Sequence, residues 1–135
     1  MWTHEESIET TAAPARIWRL FADVAGWTRW NAGIERIQLH GPFATGSRFT
    51  MKAPGVDAFV STLADVRENQ GFVDETILGG TRVSVDHRIE PLPGGRCRIV
   101  YRTEVSGPHA AGFGAAITAD FAQVLAALKA AAEAD

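Results

Sequence analysis

Read from its N-terminus, the chain alternates polar and apolar residues with a period of two, pauses for two short helical patterns, resumes the alternation through its middle, and ends on a period near 3.6. The first alternation runs from Trp2 to Thr11 and sets Trp2, His4, Glu6 and Ile8 against Thr3, Glu5, Ser7 and Glu9. The second face is solvent, so two polar side chains, His4 and Glu6, share the inward face with the apolar ends. In TAAPARIWRLFADVAGW, Pro14 suits an early helical position, Ile17, Trp18, Leu20 and Phe21 form an apolar side, and Gly26 stops the helix. A second short helical or turn segment carries Trp27, Trp30 and Asn31. From Ile34 the pattern predicts strands over Glu35–Leu39, Ser47–Lys52, Ala58–Glu68, Gly71–Leu78, Thr81–Pro91 and Arg96–Val105, joined by GPFATG, APGVD, NQ, GG and LPGG turns. Consecutive hairpins imply an antiparallel sheet, and helices kept to one side of it imply an α+β fold.

Pro108 to Asp135 is expected to form one long amphipathic helix. At about 100° per residue, Phe113, Ile117, Phe121, Val124, Leu125 and Leu128 fall within roughly a third of the circumference, with Thr118, Gln123, Lys129 and Glu133 opposite and Asp120 on the flank. Twelve of the 27 residues from His109 onward are alanine, which favours helix but fills little volume. Such a helix leaves space beside it. A strongly bent sheet could grip it and keep part of that space open.

The last hairpin can be registered from its alternation. Val83, Val85, His87 and Ile89 share one face, as do Cys97, Ile99, Tyr101, Thr103 and Val105. For the two inward faces to coincide, the connecting loop must hold an odd number of residues; a three-residue Pro93-Gly94-Gly95 loop sets His87 opposite Tyr101, and a slip of two makes them diagonal neighbours, within side-chain reach either way. Across the even Gly79-Gly80 turn, Phe72, Asp74, Thr76 and Leu78 join the same face, although Val73, Glu75 and Ile77 offer a competing apolar one. A carboxylate, an imidazole and a phenol would then share one apolar concavity, where burial perturbs titration and a polar ligand atom or a proton can be handled. A bland reading stands beside this one: His87 as a core histidine satisfied by Tyr101 or a backbone carbonyl, Tyr101 as a packed aromatic, and Trp27 and Trp30 as wall and core.

Composition narrows the classes. At 135 residues and 46% hydrophobic, the chain suits a single domain spanning 1–135. A net charge of -3 with scattered basic residues gives no electrostatic reason to expect nucleic acid. The single cysteine, Cys97, excludes an internal disulfide and fits a reducing compartment. The polar start MWTHEES and the expectation that no apolar stretch is long enough to cross a bilayer point to a cytoplasmic protein without membrane insertion, either monomer or homodimer. No HExxH, paired-histidine or Cys/His pattern supports a metal, no glycine-rich loop matches a phosphate cradle, no GxSxG elbow is present, and no cofactor is expected.

Three stretches and their order carry a family resemblance: TTAAPARIWRLFADVAGWTRWN after the first strand, the GPFATGSRF turn and strand, and the hairpin TRVSVDHRIEPLPGGRCRIVYRTEVSGP before the final helix. Together they resemble the polyketide cyclase/dehydrase-like branch of the START-related (SRPBCC) superfamily over essentially the whole chain. The resemblance implies a helix-grip fold, a seven-stranded antiparallel sheet curved around the C-terminal helix, with a cavity for a small hydrophobic or aromatic molecule of polyketide or lipid type. Residues expected to line that cavity are Trp27, Trp30, Phe49, Met51, Phe72, Val85, His87, Ile99, Tyr101, Phe113, Ile117, Phe121 and Val124. Two other functions remain open. One is a cyclase or dehydratase using His87, Tyr101 and Asp74 for acid-base chemistry; the other is a partner-binding or chaperone-assisting module, which a large exposed apolar patch on the sheet would favour.

Overall fold

The computed structural model describes residues 1–134. The chain forms β1 (Trp2–Thr10), α1 (Pro14–Ala22), a 3₁₀ helix (Val24–Arg29), β2 (Arg36–His40), β3 (Arg48–Lys52), β4 (Phe59–Arg67), β5 (Gly71–Leu78), β6 (Thr81–Pro91), β7 (Cys97–Ser106), α2 (Ala110–Thr118) and α3 (Phe121–Glu133). All seven strands join one antiparallel sheet in the order β1-β7-β6-β5-β4-β3-β2. Every pairing links sequence neighbours except β1 with β7, so α1 and the 3₁₀ helix carry the chain from one sheet edge to the other. The curved sheet holds the C-terminal helical segments in the helix-grip arrangement.

Helix α1 starts as its sequence dictates. Ala13 is extended, Pro14 takes the first turn where its missing N–H costs nothing, and the buried face is Ile17 and Phe21. The Trp27 indole N–H donates to the Phe21 carbonyl at 3.0 Å, which ties the 3₁₀ helix to the end of α1.

The C-terminal stretch forms the long helical element expected, over Ala110–Glu133, with a bend that the periodicity does not predict. It forms two segments, α2 and α3, separated by a turn at Ala119–Asp120, where Asp120 has φ -105 and ψ 5. The Thr118 hydroxyl donates to the Gly114 carbonyl one turn back at 2.8 Å, a bond that competes with the helix ladder and bends helices. Thr118, placed on the polar side by periodicity, is therefore buried, while Phe113 at the head of the apolar stripe is 36% exposed. The helix begins at Ala110 behind a left-handed His109; Asp135 lies outside the described residues. By length and apolarity the 24 residues Ala110–Glu133 do pass as a candidate membrane span, contrary to expectation, because alanine scores as apolar. In the fold α3 packs against β1 and α1, and α2 against β7 and β1, as a core helix does. Its C-terminal end is held by Arg16, whose guanidinium donates to the carbonyls of Ala132 and Ala134, and by the Thr10 hydroxyl, which donates to Glu133 at 2.7 Å.

Register turns the inner face of the sheet into rows. One row runs Glu6, Tyr101, His87, Phe72, Val66, and the next His4, Thr103, Val85, Asp74, Leu63. A third contains Trp2, Val105, Val83 and Thr76, with the Thr76 hydroxyl 2.6 Å from that of Ser61 on β4. A bulge between Leu63 and Asp65 shifts β4 by one residue, so that Val66 rather than Asp65 faces inward beside Phe72. The outer face is a lattice of opposite charges, including Arg82 with Glu75 at 2.6 Å, Arg88 with Asp86 at 2.7 Å and Arg98 with Glu9 at 3.5 Å.

Candidate functional site

The interior contains two hydrophobic clusters rather than one. The larger holds Ile17, Phe21, Trp27, Trp30, Phe49, Leu63, Phe72, Ile99, Tyr101, Val124, Leu125 and Leu128; the smaller holds Val83, Val85 and Val105, with Trp2, Ala110 and Ile117 against it. Phe121, at the first position of α3, packs against both. Its ring meets Tyr101 edge-on, with centroids 5.4 Å apart at 86°.

Within the larger cluster the aromatic residues form a filled block. Phe72 stacks on Trp27 at 5.6 Å and meets Phe21 and Phe43 edge-on, while Trp27 meets Phe49 edge-on. His87 sits inside this block, stacked on Phe72 at 4.0 Å and edge-on to Tyr101 at 4.5 Å. Its Nδ1 donates to the Phe72 carbonyl at 3.2 Å. A carbonyl only accepts, so the proton is on Nδ1 and Nε2 is bare. Burial outweighs the opposing backbone interactions with Phe72 and Val85 and pushes the imidazole down to about 3, so the ring is neutral at physiological pH.

Other inner-face and helix residues are less completely covered. Asp74, Met51, Phe59, Leu78, Ile117 and Phe121 belong to the inner face or to the helices gripped by it, yet each keeps partial exposure. Asp74 is the chemically distinctive member. Its side chain faces inward between Leu63 and Val85, and among the described residues it makes no hydrogen bond or ion pair. Burial raises its carboxyl from the usual range to about 7. The Tyr101 phenol is pushed well above its ordinary value, mainly by burial and further by the charge of Asp74. A carboxyl group that changes protonation near neutrality beside a phenol that stays protonated can accept from, donate to or ion-pair with a bound molecule.

The structure thus brings His87, Tyr101 and Asp74 onto one face, as the alternation predicts, but in different surroundings: His87 is enclosed by rings, while Asp74 keeps partial exposure. Of the residues expected to line a cavity, Trp27, Trp30, Phe49, Phe72, Val85, Ile99 and Val124 are buried in the packed interior, whereas Met51, Phe113, Ile117 and Phe121 have accessible surface. Leu78 faces inward as the alternation of β5 predicts, and Phe59 is an additional inward-facing residue that the alternation of β4 would have found. Two surface depressions, of about 350 and 120 Å³, open on the outer face of the sheet, beside Asp86 and Arg88 and beside Arg82 and Glu104. Among the described residues no three His, Cys, Asp or Glu side chains converge as metal ligands. The Cys97 thiol is buried, donates to the Ala12 carbonyl and has a raised pKa, which disfavours a nucleophilic thiolate.

Solved structures share this architecture. The chain superposes on the Zhui aromatase/cyclase from Streptomyces sp. R1128 with a TM-score of 0.81 at 14% identity, covering 98% of this chain and 93% of that one. It superposes on protein MLL2253 from Mesorhizobium loti with 0.78 at 17% identity, over 96% of each chain. The di-domain ARO/CYC BexL from the BE-7585A biosynthetic pathway gives 0.77 at 19% identity, over 98% of this chain and 47% of that one. At these identities the likeness establishes the fold and leaves the chemistry open. No curated protein matches the sequence. The family model described as polyketide cyclase / dehydrase and lipid transport matches residues 1–133, and with the helix-grip architecture this places the chain in that family, within the START-related superfamily.

Proposed function

We propose that the protein binds a small, mostly apolar or aromatic molecule of polyketide or lipid type between the inner face of β3–β6 and the α2–α3 turn. The observation that carries this reading is Asp74: an inward-facing carboxyl with no hydrogen-bond or ion-pair partner among the described residues, paired across the strand with Val85, against whose cluster the partly exposed Ile117 and Phe121 pack. A polar group left unpaired in an apolar interior costs free energy, and a ligand atom that pairs with it recovers part of that cost. Phe113, Ile117 and Phe121, spaced for one side of the helical segments, supply an apolar surface, and Tyr101 supplies a phenol at the inner end. The family match supports a hydrophobic ligand. Titration with the neutral dye N-phenyl-1-naphthylamine tests the proposal. Saturable fluorescence enhancement that Phe121→Ala weakens by roughly tenfold is expected; enhancement that is absent, or indifferent to Phe121→Ala and Ile117→Asp, overturns it.

A second reading is an enzyme of the cyclase or dehydratase kind. The raised Asp74 pKa beside Tyr101 favours it, with Asp74 taking or giving the proton and Tyr101 polarising a carbonyl. His87 is the weaker candidate base, since its Nδ1 is committed to Phe72 and burial keeps it from accepting a proton near neutrality. Turnover of a polyketide-like substrate that survives Asp74→Asn rejects the role of Asp74. The partner-binding reading draws no support from the sheet's outer face, which carries paired charges in place of a large apolar patch.

A further inference from the structure

The distribution of charge over the two faces of the sheet restricts which molecule suits the site. Every lysine and arginine of the strands occupies an outward position: Arg36, Arg48 and Lys52 on β2 and β3, Arg67 on β4, Arg82 and Arg88 on β6, Arg98 and Arg102 on β7. Most are engaged there by carboxylates, among them Lys52 with Glu35 at 2.7 Å and Arg82 with Glu75 at 2.6 Å. Among the described residues the inner face of the sheet carries no lysine or arginine. Its histidines do not fill the gap: His87 is neutral and its Nδ1 is bonded to Phe72, and His4 lies at the β1 edge, 3.3 Å from Glu6. Asp74 therefore stands in the central inward row without a counter-charge, and its direct cross-strand neighbours, Leu63 and Val85, are apolar. The same row holds two buried polar atoms without a hydrogen-bond partner, the Thr103 hydroxyl and His4 Nε2.

Aromatic faces and edges complete the setting. Asp74 pairs across the strand with Val85, Phe121 packs against the Val85 cluster, and Phe121 meets Tyr101 edge-on. A carboxylate beside aromatic rings, with no protein cation, is suited to an organic ammonium, which gains a charge-assisted hydrogen bond and favourable contact with the π-systems at once. A neutral alcohol would gain only an ordinary hydrogen bond, and a carboxylic acid would meet a like charge.

From this geometry we infer that the ligand carries a basic amine on an apolar or aromatic body, with the ammonium paired to Asp74 and the body lying along Phe121 and Ile117. This rests on the reading of the space between the sheet and the α2–α3 turn as the ligand site. Three probes of one shape separate the two claims: phenylhexylamine, phenylhexanol and phenylhexanoate, titrated calorimetrically into the full chain at about pH 8, where the carboxyl of Asp74 is charged and the amine is still protonated. The amine is expected to bind roughly tenfold or more tightly than the alcohol, and the acid more weakly than either. In Asp74→Asn the amine should fall to the affinity of the alcohol while the alcohol itself stays within about threefold of wild type. Alcohol binding equal to or better than amine binding, or an amine preference that survives Asp74→Asn, overturns the inference and leaves the ligand site standing. Absence of binding by all three overturns the site as well. As a measurement on the unaltered chain, the carboxyl ¹³C resonance of Asp74 should shift on adding amine and not on adding alcohol at equal occupancy; an unmoved resonance counts against the pairing.

Discussion

His87 stacks on Phe72 with ring centroids 4.0 Å apart and planes within 10°, and its Nδ1 donates to the backbone carbonyl of that same phenylalanine. One residue thus fixes both the ring plane and the tautomer of the other. The two are direct cross-strand partners on β5 and β6, so sheet register enforces the arrangement. A histidine held this way is a structural member of the aromatic block, and its titration is a cost to the fold.

That cost has a sign. The folded pKa of His87, about 3, lies below its ordinary 6.5. Between these values the unfolded chain binds a proton that the folded chain does not, so stability falls as pH drops from about 6.5 towards 3. Asp74 acts in the opposite sense, because its folded pKa of about 7 lies above 3.8 and its contribution to stability is lost as pH rises from about 4 through 7. Across roughly pH 4 to 6.5 the two slopes cancel. Urea denaturation of wild type should therefore show little dependence on these groups in that window, whereas His87→Gln should show stability falling with rising pH as the Asp74 slope is unmasked. A flat profile in His87→Gln would contradict the assignment.

Asp74→Asn removes the cost of a charged carboxyl in the interior and keeps its shape. At about pH 8 the variant should be more stable than wild type by on the order of 2 kcal/mol, reduced from the full linkage value by the group's residual exposure, and at pH 4 the two should coincide. Equal stability at both pH values would show that Asp74 is solvated.

Two glycines in α2 make opposite predictions from one substitution. A methyl on Gly114 would overlap the Trp2 ring, so Gly114→Ala should destabilise by about 1–3 kcal/mol despite the better helix propensity of alanine. Gly112 has nothing within 4 Å of the added methyl, and Gly112→Ala should stabilise by about 0.5–1 kcal/mol. Thermal unfolding of both variants checks the seating of α2 on β1.

Phe121 packs against both interior clusters. Phe121→Ala should lower stability by about 2–3 kcal/mol, less than for a fully enclosed phenylalanine because the ring is partly exposed. Phe113→Ala, at a more exposed position, should cost below about 1 kcal/mol. Similar losses at the two sites would mean that the helix stripe is uniformly core.

The local sequence was enough to determine most of the architecture. Strict alternation in Thr81–Pro91 and Cys97–Ser106 puts His87 and Tyr101 on one face, since a one-residue slip would turn every valine to solvent, and the three-residue loop rather than a slip of two makes them direct partners. The same parity puts Asp74 inward across the Gly79-Gly80 turn, despite the competing apolar residues Val73 and Ile77. Periodicity could not show that Thr118 would bond back to Gly114 and interrupt the helix, because that depends on which side of the turn the sheet covers. Nor could it distinguish His87 from Asp74, two polar residues on one inward face. Only the packing decided that rings enclose the first while the second keeps partial exposure with no counter-charge among the described residues, because burial and pairing are set by side chains from strands and helices far apart in the chain.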